Sequence, residues 1–392
     1  MKIAIRLVKR SDAIHRLALY YQEFVQMHET DYSVLDYEVL QIEQVLPSLA
    51  NHFHNDHPQI LLNLMKHLAP YLEQRSLHNI TLKYVDISIR AARDLGQSPG
   101  WIYLLGYRAN WALGLWDNAL MFAMLATKSV ETDSHDQAVA LQALGTAQLN
   151  RGDYSNALQI FAKSRKIYCR MRDSRGEMAI NAEEAAYYLN KAEYRTAYQR
   201  YYSVMEFELN NEHQISDHTL LMMGVISRRL KKYAEAFDYL YKLAKRANVN
   251  HSRSSVAVAA HHVSWVLIDQ GQYAQAKEYA EFAKAIFGDI NDPRGTSDAD
   301  EQLGLIALAM GEYDKAQSLL EHSLAVRKEI GNQQGYASSL HRMAKLNFMQ
   351  AQFPLGINYL LQSLFLYYKI RMLPIRRIRW FLQDVLGENI VS

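Results

Sequence analysis

The chain has 392 residues, 49% hydrophobic and 21% charged, which supplies a sizeable core and excludes disorder over most of its length; only 7 prolines and 17 glycines occur. Pro removes a backbone donor and Gly costs backbone entropy, so their scarcity favours long helices. Lys and Arg number 43 against 41 Asp and Glu, a net charge of +2 that speaks against a nucleic-acid partner held by bulk charge, and the single cysteine excludes an intramolecular disulfide or a multi-cysteine zinc site.

Residues 1–58 read as an N-terminal helical segment that leads into a repeat array. Met1 to Arg10 alternate apolar and basic residues without the apolar core of a signal peptide. No apolar run approaches the ~18 residues that a membrane span needs. A cytoplasmic location and no membrane partner are expected.

From residue 59 to 370 a phrase recurs. Gly152-Asp153-Tyr154-Ser155-Asn156-Ala157 returns as Ala192-Glu193-Tyr194-Arg195-Thr196-Ala197, as Lys232-Tyr233-Ala234-Glu235-Ala236, as Gly271-Gln272-Tyr273-Ala274-Gln275-Ala276 and as Gly311-Glu312-Tyr313-Asp314-Lys315-Ala316. Weaker copies surround Leu77, Trp116 and Phe353. The markers at 77, 116, 154, 194, 233, 273, 313 and 353 lie 38 to 40 residues apart, a uniformity that chance does not give. Three residues after the marker stands Ala (119, 157, 197, 236, 276, 316). Nine before it stands a small residue: Gly145, Ala185, Gly224, Ser264, Gly304 or Ala344. These are the places where two antiparallel helices cross closely. Seven after it a larger apolar residue, such as Phe161, Tyr201, Leu240 or Leu320, fills the space beyond.

This pattern resembles the tetratricopeptide repeat, in a long variant of about forty residues rather than the usual 34. The extra residues fall between units, as in Asp173-Ser174-Arg175-Gly176, Asp292-Pro293-Arg294-Gly295 and Asn332-Gln333-Gln334-Gly335. The resemblance implies an all-α fold, a right-handed α-solenoid (superhelix) of about eight antiparallel helix pairs. The long variant is similar to the sensor arrays of bacterial STAND-class regulators. So are Leu35-Asp36-Tyr37-Glu38 and Leu68-Ala69-Pro70-Tyr71-Leu72, which are similar to the junction after the NTPase core of those proteins. No Gly-x-x-x-x-Gly-Lys-Ser/Thr phosphate loop accompanies them. Residues 371–392 read as a C-terminal capping helix.

The chemistry-bearing residues suggest no enzyme. Cys169 lacks an assignable base and is expected to be a buried structural thiol. His52, His54 and His57 with Asp56 match no zinc spacing and read as a solvated helix end. His261 and His262 point about 100° apart on a helix and cannot share one site. Asp289-Ile290-Asn291-Asp292 lacks the Gly and Glu of a calcium loop and reads as a turn. Glu184 falls at a packing position, where a carboxylate needs a partner: an ion pair with a neighbouring unit, or a specificity group in the groove. Lys163, Arg165, Lys166, Arg170, Arg172 and Arg175 read as a solvated face. No catalytic, cofactor-binding or metal-ligating residue is assigned, and no cofactor is expected.

In the family that the repeat resembles, the first helices line a concave surface that holds peptides. The residues twelve, eight and four or five before each marker fall on that face. They include Gln142, Asn150, Asn190, Arg228, Arg229, His261, Trp265, Asp269, Glu301, His341 and Lys345. Members that clamp a C-terminal carboxylate carry Lys and Asn where this chain has Gln142, Thr146 and Ala186, so such a clamp is disfavoured. Lys369, Arg371, Arg376, Arg377 and Arg379 form a second, basic surface, read as a polar cap or a docking site. The expected function is a non-enzymatic protein- or peptide-binding module acting as regulator, sensor or scaffold. The alternative is the ligand-sensing array of a STAND-like ATPase system whose NTPase is on another chain. Neither the partner's identity nor the oligomeric state follows from the sequence.

Overall fold

The computed structural model describes residues 2–49, 56–75, 77–151, 153–211 and 213–369, with side chains from residue 12 onward. Among the described residues there are eighteen helices and no strand. None of these helices is long and apolar enough to cross a membrane. The chain divides into two compact units, residues 1–112 with 117–144, and residues 113–116 with 145–392.

The first unit holds α1 (Lys2–Met27), α2 (Tyr32–Leu49), α3 (His57–Gln74), α4 (His78–Asp94), α5 (Gly100–Ala112), most of α6 (Trp116–Ser129) and the start of α7 (His135–Asn150). Asp36 of α2 binds Arg75 through both carboxylate oxygens, at 2.8 and 2.7 Å, and accepts from the Tyr71 hydroxyl at 3.0 Å. The acid and aromatic residues that stand out in this part of the sequence therefore tie α2 to α3. His57 is fully buried and its ring stacks on His15 at 5.5 Å, so the expected solvated helix end is corrected at this residue. Packing of α1 on α3 covers it. His52 and His54 lie outside the described residues.

The second unit continues with α8 (Tyr154–Met171), α9 (Ser174–Asn190), α10 (Tyr194–Asn211), α11 (Asp217–Arg229), α12 (Tyr233–Val249), α13 (Arg253–Asp269), α14 (Tyr273–Asp289), α15 (Pro293–Ala309), α16 (Tyr313–Glu329), α17 (Gln333–Met349) and α18 (Phe353–Lys369). Counted along the chain, α3 to α18 make eight pairs. Seven of the eight markers are the first residue of a second helix, and Leu77 is the N-cap of α4. Two residues before the marker the backbone turns left-handed, at Gly114, Ala192, Lys231, Gly271, Gly311 and Ala351.

The crossing inside each pair follows residue size. A β-carbon on Gly145 would lie 2.5 Å from the Phe161 ring, and one on Gly304 would lie 2.8 Å from Leu320. Ser264 is larger than glycine, and the residue that would press on it is Ala280. The Ser264 hydroxyl donates instead to the Ala276 carbonyl at 2.7 Å. The core then runs from pair to pair: Leu240, Val266, Leu267, Ala276, Leu303 and Ile306 form one cluster spanning α12 to α15.

The extra residues of the long repeat cap the next helix. The side chains of Asp173, Asp292 and Asn332 accept from the backbone N–H of Gly176, Gly295 and Gly335, each at 2.9 Å. This satisfies one of the donors that a helix start leaves open. The glycine is needed because the side chain fourteen residues after the marker lies on it: Tyr168 on Gly176, Phe287 on Gly295, Arg327 on Gly335. The turn read at 289–292 is thus an N-cap.

Candidate functional site

Within the second unit the first helices of successive pairs touch directly, α11 on α13, α13 on α15 and α15 on α17. This contact decides which first-helix positions stay open. The residue eight before the marker is half-buried throughout: Thr146, Ala186, Val225, Trp265, Leu305, Lys345. The residue twelve before it closes up toward the end of the chain, where Glu301 and His341 are buried.

Trp265 organises the α11–α13 contact. Its indole N–H donates to His261 Nε2 at 3.1 Å, and the Arg228 guanidinium lies over its ring, 5.4 Å from the centroid. Arg228 in turn donates to Asp269 at 2.9 Å. Burial, then Arg229, lowers the Arg228 pKa to about 10 against the pull of Asp269. Burial also lowers His261, with Arg228 and Arg327 acting the same way and Asp298 and Glu301 opposing them. His262 lies well below the usual histidine value, from burial first and then from His261, Arg228 and Arg229.

A second network joins α15, α16 and α17. Arg327 donates to Glu301 and Asp298, to the Gly335 carbonyl at 2.9 Å and to the Ser339 hydroxyl at 2.8 Å. Glu301 also accepts from Ser338 at 2.8 Å and pairs with Arg342 at 3.4 Å. Burial works to raise the Glu301 carboxyl, but Arg327, Arg342 and these hydrogen bonds outweigh it and hold the pKa at about 2. Burial opposes the charge on Arg327 too, and Glu301 and Asp298 raise its pKa on balance.

The two networks meet at a cavity of about 260 Å³. His261, Trp265, Asp298, Glu301 and Arg327 line it, together with Arg294, Asn332 and Ser338. Arg294 lies over the Trp116 ring, 4.9 Å from the centroid, both within the second unit. The lining mixes aromatic faces, amides and both charge signs, a surface able to hold a polar chain in place.

Residues 295–369, which run from α15 to α18, match the sequence model of the tetratricopeptide repeat. That segment of the chain carries tetratricopeptide repeats. In fold it is similar to the Rap conjugation gene regulator of plasmid pLS20 in complex with the Phr* peptide, with TM-score 0.58 and 13% identity over 94% of this chain and 98% of that one. It is also similar to a Rap protein complexed with competence and sporulation factor, with TM-score 0.57 and 10% identity over 74% and 83% of the two chains. A STAND protein with a tetratricopeptide repeat sensor from Pyrococcus horikoshii aligns at TM-score 0.46 and 16% identity, over 91% of this chain and 55% of that one. No curated protein matches the chain by sequence.

The repeats place the expected site residues unevenly. Arg228, His261, Trp265 and Asp269 come together, and Glu301 joins His261 at the cavity. Arg229 is exposed, Asn150, Asn190 and Lys345 are half-buried, and His341 is buried on α17. Gln142 is half-buried on the part of α7 that belongs to the first unit. Lys369 is exposed at the end of α18, whereas Arg371, Arg376, Arg377 and Arg379 lie outside the described residues.

Two readings outside the groove are settled by the repeats. Glu184 pairs with Arg165 of the preceding pair and Arg200 of its own, each at 3.1 Å, which accounts for a carboxylate at a packing position. Cys169 is exposed, which corrects the expectation of a buried thiol. It stands beside Tyr168, the residue that packs inward on Gly176, and so turns out to solvent. A hydrogen bond with Glu177 raises its pKa, the opposite of an activated nucleophile.

Sequence reasoning missed Arg294, Asp298, Arg327 and Arg342. The signal for Arg327 was present. Fourteen residues after the marker, Tyr168, Phe287 and Tyr367 are aromatic where Arg327 is cationic. A charge at a position where three other repeats bury a ring calls for counter-charges nearby.

Proposed function

We propose that the chain is a non-enzymatic peptide-binding module that holds a short peptide on the first-helix face of its second unit and acts as a sensor or scaffold for an effector. The observation that carries this reading is the cavity lined from α13, α15, α16 and α17, with Trp265 and the Arg327–Glu301 ion pair both in its lining. A tryptophan offers rigid contact area with a donor at one end, and such residues dominate binding energetics. The two Rap structures of similar fold, one with the Phr* peptide and one with competence and sporulation factor, lend support.

The test is selection of random pentapeptides against the immobilised full chain, followed by photo-crosslinking of the recovered sequences. Crosslinks on α13, α15 and α17 are the expected result. Crosslinks confined to the second helices would overturn this reading.

A further inference from the structure

Two buried donors at the cavity have no acceptor. Trp265 Nε1 can only donate, so His261 Nε2, its partner at 3.1 Å, must be the accepting nitrogen. The neutral ring then carries its proton on Nδ1. That Nδ1 is buried without a hydrogen-bond partner. Arg327 spends both terminal nitrogens on Glu301, Asp298, Gly335 and Ser339, while its Nε, also buried, has none. Both side chains line the same cavity, and that of Arg327 is 4% exposed. An unpaired buried donor is costly, which makes a ligand acceptor at this place favourable.

The charges decide what kind of acceptor. Arg294 and Arg327 stand against Asp298 and Glu301 at the lining, so the charges cancel. A carboxylate entering here would lose its water beside two other carboxylates. An uncharged carbonyl meets the donors without that penalty. At about 260 Å³ the space lies below the ~300–1,000 Å³ of sites that enclose a whole drug-sized ligand. It suits one residue of a longer chain.

We infer that this cavity is the subsite for a neutral amide carbonyl of the bound peptide, which accepts from His261 Nδ1–H and Arg327 Nε–H. The inference rests on the peptide-binding reading and deepens it. Two substitutions separate the two ring nitrogens. His261→Asn keeps an N–H near the place of Nδ1 and loses the acceptor for Trp265. His261→Gln keeps an acceptor for Trp265 near the place of Nε2 and loses the Nδ1 donor. A residue that only supported Trp265 would show the reverse order of damage.

The probes are pentapeptides acetylated and amidated at their ends, selected against the full chain and measured by fluorescence anisotropy. His261→Asn is expected to stay within about threefold of the unaltered protein, and His261→Gln to bind about tenfold more weakly. Arg327→Lys keeps the charge beside Glu301, loses the Nε donor and should also weaken binding about tenfold. Equal binding by the Asn and Gln variants would overturn the subsite while leaving the peptide-binding reading standing. Recovered peptides that bind only through an aspartate or glutamate side chain would overturn it in favour of an anion site. If no peptide engages this face at all, both readings fall together.

Discussion

Arg327 on α16 and Glu301 on α15 form an ion pair almost closed to solvent, their side chains 4% and 6% exposed. The arginine stands where other repeats place Tyr168 or Phe287, so the pair replaces a ring in the junction between repeats. Removing one partner leaves an uncompensated buried charge, whereas removing both can restore apolar packing. Glu301→Ala is therefore expected to destabilise the second unit by about 3 kcal/mol. Joint replacement by Glu301→Met and Arg327→Met should cost less than Glu301→Ala. Urea melts read by circular dichroism measure the totals, and hydrogen exchange on α15 to α17 places the change. A double replacement as damaging as the sum of the singles would contradict the pairing.

Acid should weaken this region in two stages. The Glu301 carboxyl lies at about 2 in the folded protein against 4.5 ordinarily. A depressed acid contributes stability above its unfolded pKa and loses it as pH falls through the folded one. The Glu301 share is thus complete above 4.5 and declines from there toward 2. His261 and His262 lie below the usual 6.5 because burial disfavours their charged forms. The unfolded chain takes up their protons first, so stability begins to fall as pH drops below 6.5. His262→Gln should flatten the upper stage and Glu301→Gln the lower. Melting temperatures between pH 7 and pH 3 decide the matter, and a curve unchanged by either substitution would count against both assignments.

The intra-pair crossing gives a packing prediction. A β-carbon on Gly304 would lie 2.8 Å from Leu320, and Ala276 is fully buried against Ser264. Gly304→Ala and Ala276→Leu should each cost about 1–3 kcal/mol through overpacking. Gln275→Leu, one residue away on the exposed side of α14, should cost little. Melting curves that fail to separate Ala276→Leu from Gln275→Leu would mean the helix faces are misassigned.

The fold was legible because its rules repeat at a fixed interval. Size at the crossing, the aromatic that opens seven of the eight second helices and the turn before it are local demands, and they recur every forty residues or so. The site was legible only in part. Trp265 and His261 were found because their offsets place them on the first-helix face. Glu301 and His341 share an offset with His261 but are buried, since contact between neighbouring first helices closes that position near the end of the chain. Arg327 escaped notice because it sits on a second helix, outside the face that the offsets define. Asp298, three residues before Glu301 on the same helix, gains its meaning only from Arg327. Departure from the repeat, rather than conformity to it, marks the polar part of the site.

Trp265 gives the sharpest test of the binding face. It lies between Arg228 and His261, at a first-helix position that is half-buried in every repeat of the unit. Trp265→Ala should weaken peptide binding by about 2 kcal/mol, roughly thirtyfold. Trp265→Phe keeps a ring under Arg228 and loses the N–H to His261, so it should fall between the two. Arg229, exposed at the end of α11, should act through charge: Arg229→Glu is expected to weaken an acidic peptide more at low salt than at high salt. Hydrogen exchange on α11 and α13 must match the unaltered protein for these comparisons to hold. If Trp265→Ala is folded by that measure and still binds at full strength, then Trp265 serves as a spacer between α11 and α13, and the peptide lies elsewhere on the repeats.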